Sequence, residues 1–319
     1  MPTRYSRLSS SELRSRADKL KELYKNCILC PWECRIDRTS HQMGVCRSLD
    51  KAKVSSATPH FGEEPMISGT KGSGTIFFSN CNMRCKFCQN YQISQDGLGD
   101  EISDGQLSDM MLMLAKKGCH NINLVSPTHY TPNIIAALAI AAEKGLDIPL
   151  VYNSNGYEKV ETLKILDGII DIYLPDIKYT GNDVAIKLSN SPKYVEYNRA
   201  VLKEMYRQVG QLKTDENGVA ESGLLIRHLV LPHDQAGSEK AMKLIAKELS
   251  KDVNVGIMAQ YRPCYRANED PHLDRPITGN EYRRAVRWAK EAGLHNILVQ
   301  ELDSSDILVP DFKRADPFK

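Results

Sequence analysis

From residue 75 onward the chain alternates short, apolar, β-rich runs with longer amphipathic ones, and this alternation limits what it can fold into. The runs at 75–79, 121–125, 149–152, 169–174, 224–230, 253–258 and 296–300 read as strands. The segments at 108–117, 132–143, 160–166, 183–187, 194–209, 238–249 and 279–292 read as helices. Pro132 stands where a first helical residue belongs, and Gly145 lies past the end of that helix. Strands separated by helices need crossover connections, which gives a parallel sheet. Roughly six to seven such units exceed a comfortable open doubly wound sheet. The expected fold is therefore α/β, a full or partial parallel (β/α) barrel, TIM-like, of about six strands. In such a barrel the residues just past each strand carry the chemistry.

The first 70 residues read differently. Ser9 and Glu12 form an S-x-x-E capping box, and Leu13, Ala17, Leu20 and Tyr24 follow at helical spacing. The stretch 27–46 is irregular, with Pro31 and Gly44, then a strand is expected at 53–58 and a glycine-rich turn region at 62–74. The boundary is placed near residue 70. Residues 1–70 form a helix plus a small cysteine-rich, metal-binding extension, 71–303 the barrel, and 304–319 a C-terminal tail.

Nine cysteines are present, an odd number, and seven of them fall between positions 27 and 88. No apolar leader opens the chain, so a disulfide framework is disfavoured, and reduced cytoplasmic thiols grouped to hold metal are expected. Cys119, just before an apolar run, reads as a buried small hydrophobe, and Cys264 in a polar loop stays unassigned. With 42 Lys+Arg against 40 Asp+Glu there is no electrostatic case for nucleic acid or an acidic membrane as partner. No apolar run reaches the length of a membrane span.

The first barrel strand leads directly into Cys81-Asn-Met-Arg-Cys85-Lys-Phe-Cys88, spacing C-x3-C-x2-C. Structural zinc sites usually take four ligands in paired C-x2-C knuckles. Three thiols suit a 4Fe–4S cluster with one iron free of protein ligands, since a fully ligated cluster takes four cysteines.

This motif, in its strand-then-loop context and with aromatic Phe87 before the third cysteine, resembles the radical S-adenosylmethionine (radical SAM) superfamily. The segment 72–94 is similar to the pyruvate formate-lyase activating enzyme-like branch, and to a subgroup of it that carries an extra N-terminal cysteine cluster. The resemblance implies a 4Fe–4S cluster on Cys81, Cys85 and Cys88, with SAM bound at the open iron. Its reductive cleavage would give methionine and a 5′-deoxyadenosyl radical that abstracts hydrogen from a substrate. It also implies SAM contacts at strand ends. Ser126 and Thr128 stand where the family has a Gly-Gly-Glu-like turn, and Asn153-Ser-Asn155-Gly resembles its T-N-G turn. Asp176-Ile-Lys178 resembles the D-I-K motif of activating enzymes. Arg227, in an otherwise apolar strand, matches the arginine that pairs with the SAM carboxylate, a geometry suited to guanidinium. Asn153 replaces a carboxylate of the branch's cation site. His228 would face away from Arg227 and reads as packing or surface.

Cys27, Cys30, Cys34 and Cys46 supply four further thiols whose spacing fits neither ferredoxin pattern nor paired zinc knuckles. Zinc, a second iron–sulfur cluster and simple buried thiols all stay open, with His41 as an alternative ligand and Trp32 packing the site's outer shell. The expected activity is that of a radical SAM oxidoreductase, acting on a glycyl-radical enzyme or on another protein, peptide or small molecule. The loop 261–278 is a candidate substrate mouth. A flavodoxin or ferredoxin is the expected reductant. The alternative class is a non-enzymatic iron–sulfur or zinc-binding protein.

Overall fold

The computed structural model describes residues 2–302, 310–314 and 317–318. Of the tail expected at 304–319, residues 304–309, 315, 316 and 319 lie outside the described residues.

Ten strands make one sheet: β1 (Ala52–His60), β2 (Ser73–Phe78), β3 (Asp100–Ile102), β4 (Ile122–Val125), β5 (Leu150–Ser154), β6 (Ile172–Pro175), β7 (Lys213–Thr214), β8 (Ala220–Leu229), β9 (Asn254–Met258) and β10 (Asn296–Val299). Their spatial order is β10-β9-β8-β6-β5-β4-β2-β1-β3, with β7 beside β8. From β10 to β2 neighbours are parallel, while β1 pairs antiparallel with β2 and β3. Among the described residues the pairing runs from β10 to β3 without closing, so the architecture is a partial TIM-like barrel.

The helices are α1 (Ser10–Glu22), α2 (Pro65–Ser68), α3 (Tyr91–Ser94), α4 (Asp104–Lys116), α5 (Thr131–Glu143), α6 (Val160–Ile165), α7 (Asn182–Ser189), α8 (Tyr194–Val209), α9 (Ser238–Glu248) and α10 (Gly279–Glu291). β2, β5 and β6 are buried along their whole length, as strands covered on both faces must be. Leu13 and Leu20 of α1, Leu138 of α5, Leu124 of β4 and Ile226 of β8 share one core. Each such side chain, taken fully out of water, stabilises the fold by about 2 kcal/mol. Cys119 belongs to that core.

Several local expectations shift. Ser9 caps α1 by accepting from the Glu12 amide, but the Glu12 carboxylate goes to Arg16 at 2.6 Å instead of closing the box. Complete capping boxes form at Ser103/Gln106 and Thr278/Glu281, so α4 begins at Asp104, ahead of the expected 108. β8 begins at Ala220 rather than 224, because it pairs back onto β7 across the Asp215 turn. β1, on the N-terminal side of the boundary expected near 70, pairs with β2 on the other side, so the two stretches share one sheet. Among the described residues no helix is long and apolar enough to cross a membrane.

Candidate active site

The loop after β2 is pinned from several directions. Asn80 turns the chain with φ 67° and donates through Nδ2 to the Arg47 carbonyl at 3.1 Å. Asn82 Nδ2 donates to Tyr157 O at 2.7 Å, and the Arg84 and Lys86 amides donate to Ser189 O and Leu188 O at the end of α7. Each thiol of the loop has a polar neighbour. Cys81 Sγ accepts from Asn155 Nδ2 at 3.4 Å, Cys85 Sγ from Ser189 Oγ at 3.0 Å, and Cys88 Sγ lies 3.1 Å from Ser94 Oγ. Burial pushes all three thiols up to about 11, so in the bare protein they are protonated and a metal must displace that proton.

The three thiols line one cavity of about 140 Å3. Ser126, Asn153, Asn155, Asp176, Lys178 and Arg227 line the same cavity, brought there by the ends of β4, β5, β6 and β8. It adjoins a hollow of about 200 Å3 that shares Cys85, Cys88, Asp176, Lys178 and Arg227 and is also lined by Phe87. Thr128 lines neither; its hydroxyl donates to the buried Glu158 carboxylate at 2.6 Å. Of the loop 261–278, Tyr261 alone lines the 200 Å3 hollow. Cys264 is half-buried.

The turn after β5 depends on Gly156. Its φ is +74°, and a Cβ there would stand 2.2 Å from Asn198 Nδ2 and 2.3 Å from Asp176 O. Tyr194 holds the next turn, donating to Asn155 O and accepting from the Lys178 amide, both at 3.0 Å.

Buried Asp176 joins the half-buried Lys178 and Arg227 in one network. Asp176 Oδ2 takes Lys178 Nζ at 2.6 Å and Oδ1 takes Arg227 Nε at 3.0 Å. Burial alone would raise the Asp176 carboxyl, but Lys178 and Arg227 outweigh it and hold it below the usual range. Arg227 also donates to Asn153 Oδ1 at 2.6 Å and to Glu63 Oε2 at 3.3 Å. Glu64 Oε1 lies 4.0 Å from Arg227 Nε, and burial pushes this carboxyl up to about 7. Glu63 and Glu64 come from the turn between β1 and α2, read from sequence as a glycine-rich connection. The signal for them was an adjacent carboxylate pair ahead of a strand system whose Arg227, in an apolar strand, needed anions. His228 is fully buried and bonded to Ile177 O and Ser238 Oγ, which is packing.

The N-terminal cysteines Cys27, Cys30, Cys34 and Cys46 line a second, enclosed cavity of about 10 Å3. His41 is exposed and does not line it, whereas Trp32 does and donates through Nε1 to Asn82 O at 2.7 Å.

A three-thiol cavity whose remaining wall carries a carboxylate, an ammonium, a guanidinium and side-chain amides fits a 4Fe–4S cluster with an amino acid-bearing co-substrate beside it. The family comparison agrees: residues 75–211 match the model of the radical SAM superfamily. An uncharacterized protein of Methanocaldococcus jannaschii is 32% identical over 281 residues, covering 86% of this chain and 77% of that protein. The chain belongs to the radical SAM superfamily. Membership implies a 4Fe–4S cluster and SAM, and makes the protein a SAM-cleaving radical enzyme.

Solved structures with a similar fold include Streptococcus suis SuiB bound to its precursor peptide SuiA, at 10% identity and a TM-score of 0.49, covering 73% of this chain and 49% of that one. Methylornithine synthase (PylB) aligns at 15% identity and a TM-score of 0.46, covering 95% of this chain and 84% of that one. The chain thus spans about half the length of the first of these.

Proposed function

We propose that the chain is an activating enzyme-like radical SAM oxidoreductase that takes a hydrogen atom from a backbone glycine of a partner protein. The observation that carries the SAM chemistry is the convergence of Cys81, Cys85 and Cys88 with Asp176, Lys178 and Arg227 on one cavity. The activating-enzyme reading is supported by the Asp176-Ile177-Lys178 motif, whose two charged side chains both line that cavity.

Cys81, Cys85 and Cys88 would hold the cluster, which, when bound, supplies the electron for reductive cleavage of the SAM sulfonium. The chain's own residues hold and aim. Arg227 presents a planar fork suited to the SAM carboxylate, and Asp176 faces it with an anion suited to the amino group. Asn155, already donating to Cys81 Sγ, ties the β5 turn to the thiol loop. Met83, Phe87, Tyr179 and Tyr261 pack around Cys81 and Cys85 and exclude water from that loop. The four N-terminal thiols would hold a second metal, zinc or iron–sulfur. An acidic flavodoxin- or ferredoxin-like reductant would dock at the hollow lined by Arg47, Arg84 and Lys86, a reading supported by the positive charge there and by its closeness in sequence to Cys46 and Cys85.

The test is anaerobic reconstitution of the full chain with iron and sulfide, then dithionite and SAM. Formation of 5′-deoxyadenosine and methionine is expected, together with a glycyl EPR doublet when a glycyl-radical partner is added. Cleavage without that doublet across candidate partners sinks the activating-enzyme reading. No cleavage by a fully loaded protein sinks the radical SAM assignment of this site.

A further inference from the structure

The cavity of the N-terminal cysteines contains two features that a set of packing thiols does not explain. Arg38 is 1% exposed, with its guanidinium 4.0 Å over the Tyr24 ring. Its nitrogens donate to the carbonyls of Leu49 and His129, and among the described residues no carboxylate pairs with it. A buried cation without an anion is strongly unfavourable. Cys27 and Cys46 line the same cavity as the guanidinium, so an anionic group held on these sulfurs would supply the missing charge. His129 is the second feature. Its Nε2 lies 2.9 Å from the Ser79 carbonyl, so Nε2 carries the proton. That leaves Nδ1 as a lone pair, buried, without a partner, on a ring that lines the cavity.

The arrangement distinguishes zinc from a cluster. A single zinc draws four sulfurs to about 2.3 Å from its centre, leaving no water-sized void among them. Here the thiols enclose a cavity of about 10 Å3, close to what one water-sized body needs. Among the described residues, no three His, Cys, Asp or Glu side chains are gathered to hold a single ion, and this is equally true of Cys81, Cys85 and Cys88. Gly44 keeps the space open, since a Cβ there would stand 2.7 Å from Cys34 Sγ.

The cavity is also joined to the loop of the first site. Trp32 donates to Asn82 O, Arg84 donates to Val45 O, Asn80 donates to Arg47 O, and His129 bonds the Ser79 carbonyl. Each contact links a residue near an N-terminal cysteine or on its cavity wall to a residue within three positions of Cys81.

We infer that Cys27, Cys30, Cys34 and Cys46 hold an iron–sulfur cluster, with Arg38 as its buried counter-cation, and that this cluster passes single electrons to the one on Cys81, Cys85 and Cys88. This rests on the reading above that these thiols hold metal. One electron enters from an external low-potential carrier protein, which is oxidised, and leaves for the first site. No bond at a thiol forms or breaks, and the site's charge changes by one.

The full chain carrying Cys81→Ala, Cys85→Ala and Cys88→Ala, reconstituted anaerobically, isolates the second site. It is expected to retain iron and sulfide and to give an EPR signal on reduction. Zinc without iron there overturns the cluster but leaves a metal site standing; neither metal overturns both. Arg38→Met in the same background is expected to move the midpoint potential negative, with Arg38→Lys restoring it, and an unmoved potential overturns the counter-cation role. In the chain carrying Cys27→Ala and Cys30→Ala, SAM cleavage driven by reduced flavodoxin is compared with cleavage driven by dithionite. The ratio is expected to fall about tenfold relative to the unaltered chain, and an unaltered ratio overturns the relay. Failure of dithionite-driven cleavage in the unaltered, loaded chain strikes the radical SAM reading instead. Circular dichroism of each variant shows whether it has folded.

Discussion

Two thiol-lined cavities touch the loop that follows β2, and they are built on opposite plans. The one at Cys81, Cys85 and Cys88 has three thiols, adjoins a hollow of about 200 Å3, and sets Lys178 and Arg227 against Glu63, Glu64 and Asp176. The one at Cys27, Cys30, Cys34 and Cys46 has four thiols and a narrower void, and among the described residues no carboxylate pairs with its Arg38, since Glu33, which also lines it, pairs with Lys159 at 2.5 Å. Three ligands beside a polar hollow lined by paired charges suit a bound group that leaves a position for an exchangeable molecule. Four ligands in a closed wall suit a group that stays in place, as closed and open metal sites differ generally. The difference in charge balance is what experiment can break most directly.

Arg227 and Arg38 should respond oppositely to metal. Arg227→Met leaves Asp176 and Glu63 as buried carboxylates without their guanidinium, which costs about 3 to 5 kcal/mol with or without metal. Arg38→Met removes a buried cation that, among the described residues, has no carboxylate partner. In metal-free protein its cost is limited to the stranded carbonyls of Leu49 and His129, about 1 to 2 kcal/mol. In loaded protein the loss should be larger, because the thiolates then lose their counter-charge. Urea unfolding under argon, before and after removal of iron, measures both. Equal losses for Arg38→Met in the two states would show that the thiols do not supply its anion.

The need for such partners was legible in the sequence; the partners themselves were not. Arg227 in an apolar strand announced a buried ion pair, and Asp176-Ile-Lys178 at a strand end announced one partner. Glu63 lies 164 residues from Arg227, in a turn whose glycines masked two carboxylates. It reaches the site because β1 pairs antiparallel with β2, from Val54 opposite Phe78 to His60 opposite Ser73. Strand–helix alternation fixes parallel neighbours, yet it carries no information about an antiparallel strand added at the edge from an irregular N-terminal segment. Arg38 and His129 escaped notice for a related reason. Each looks like an ordinary polar residue until the fold buries it, and the evidence of function is the bond each fails to make.

A buried carboxylate ties the walls of the two cavities together and gives a pH test. Glu158 is fully buried and accepts from Thr128, next to His129 of the second cavity, and from Ser154, which lines the first. Burial pushes it from its ordinary 4.5 up to about 7, against the pull of the Ser154, Thr128 and Tyr152 hydroxyls. Between those two values the folded chain holds a proton that the unfolded chain has released. Its contribution therefore favours the fold increasingly as pH falls from 8 to 5, by about 3 kcal/mol at most. Glu158→Gln cannot ionise, so it should be more stable than the unaltered chain at pH 8, with the advantage gone by pH 5. Urea midpoints at the two pH values read this, and parallel pH slopes for the two proteins would refute it.

The smallest effect separates two neighbours that the sequence offered as equivalent. Ser126 lines the first cavity, with its backbone in the left-handed region at φ 58°, while Thr128 points its hydroxyl into the Glu158 network. If the cavity is the SAM pocket, Ser126→Ala should weaken SAM binding about fivefold, the loss of one hydrogen bond of about 1 kcal/mol, with little change in melting temperature. Thr128→Val keeps the side-chain shape and removes a donor from Glu158. It should lower stability by about 1 kcal/mol and leave SAM affinity alone. Calorimetric titration of SAM alongside thermal melts of both variants gives the two readings at once. The reverse pattern would move SAM out of the three-thiol cavity and toward the wall that Thr128 supports, which would remove the contrast between an open and a closed site.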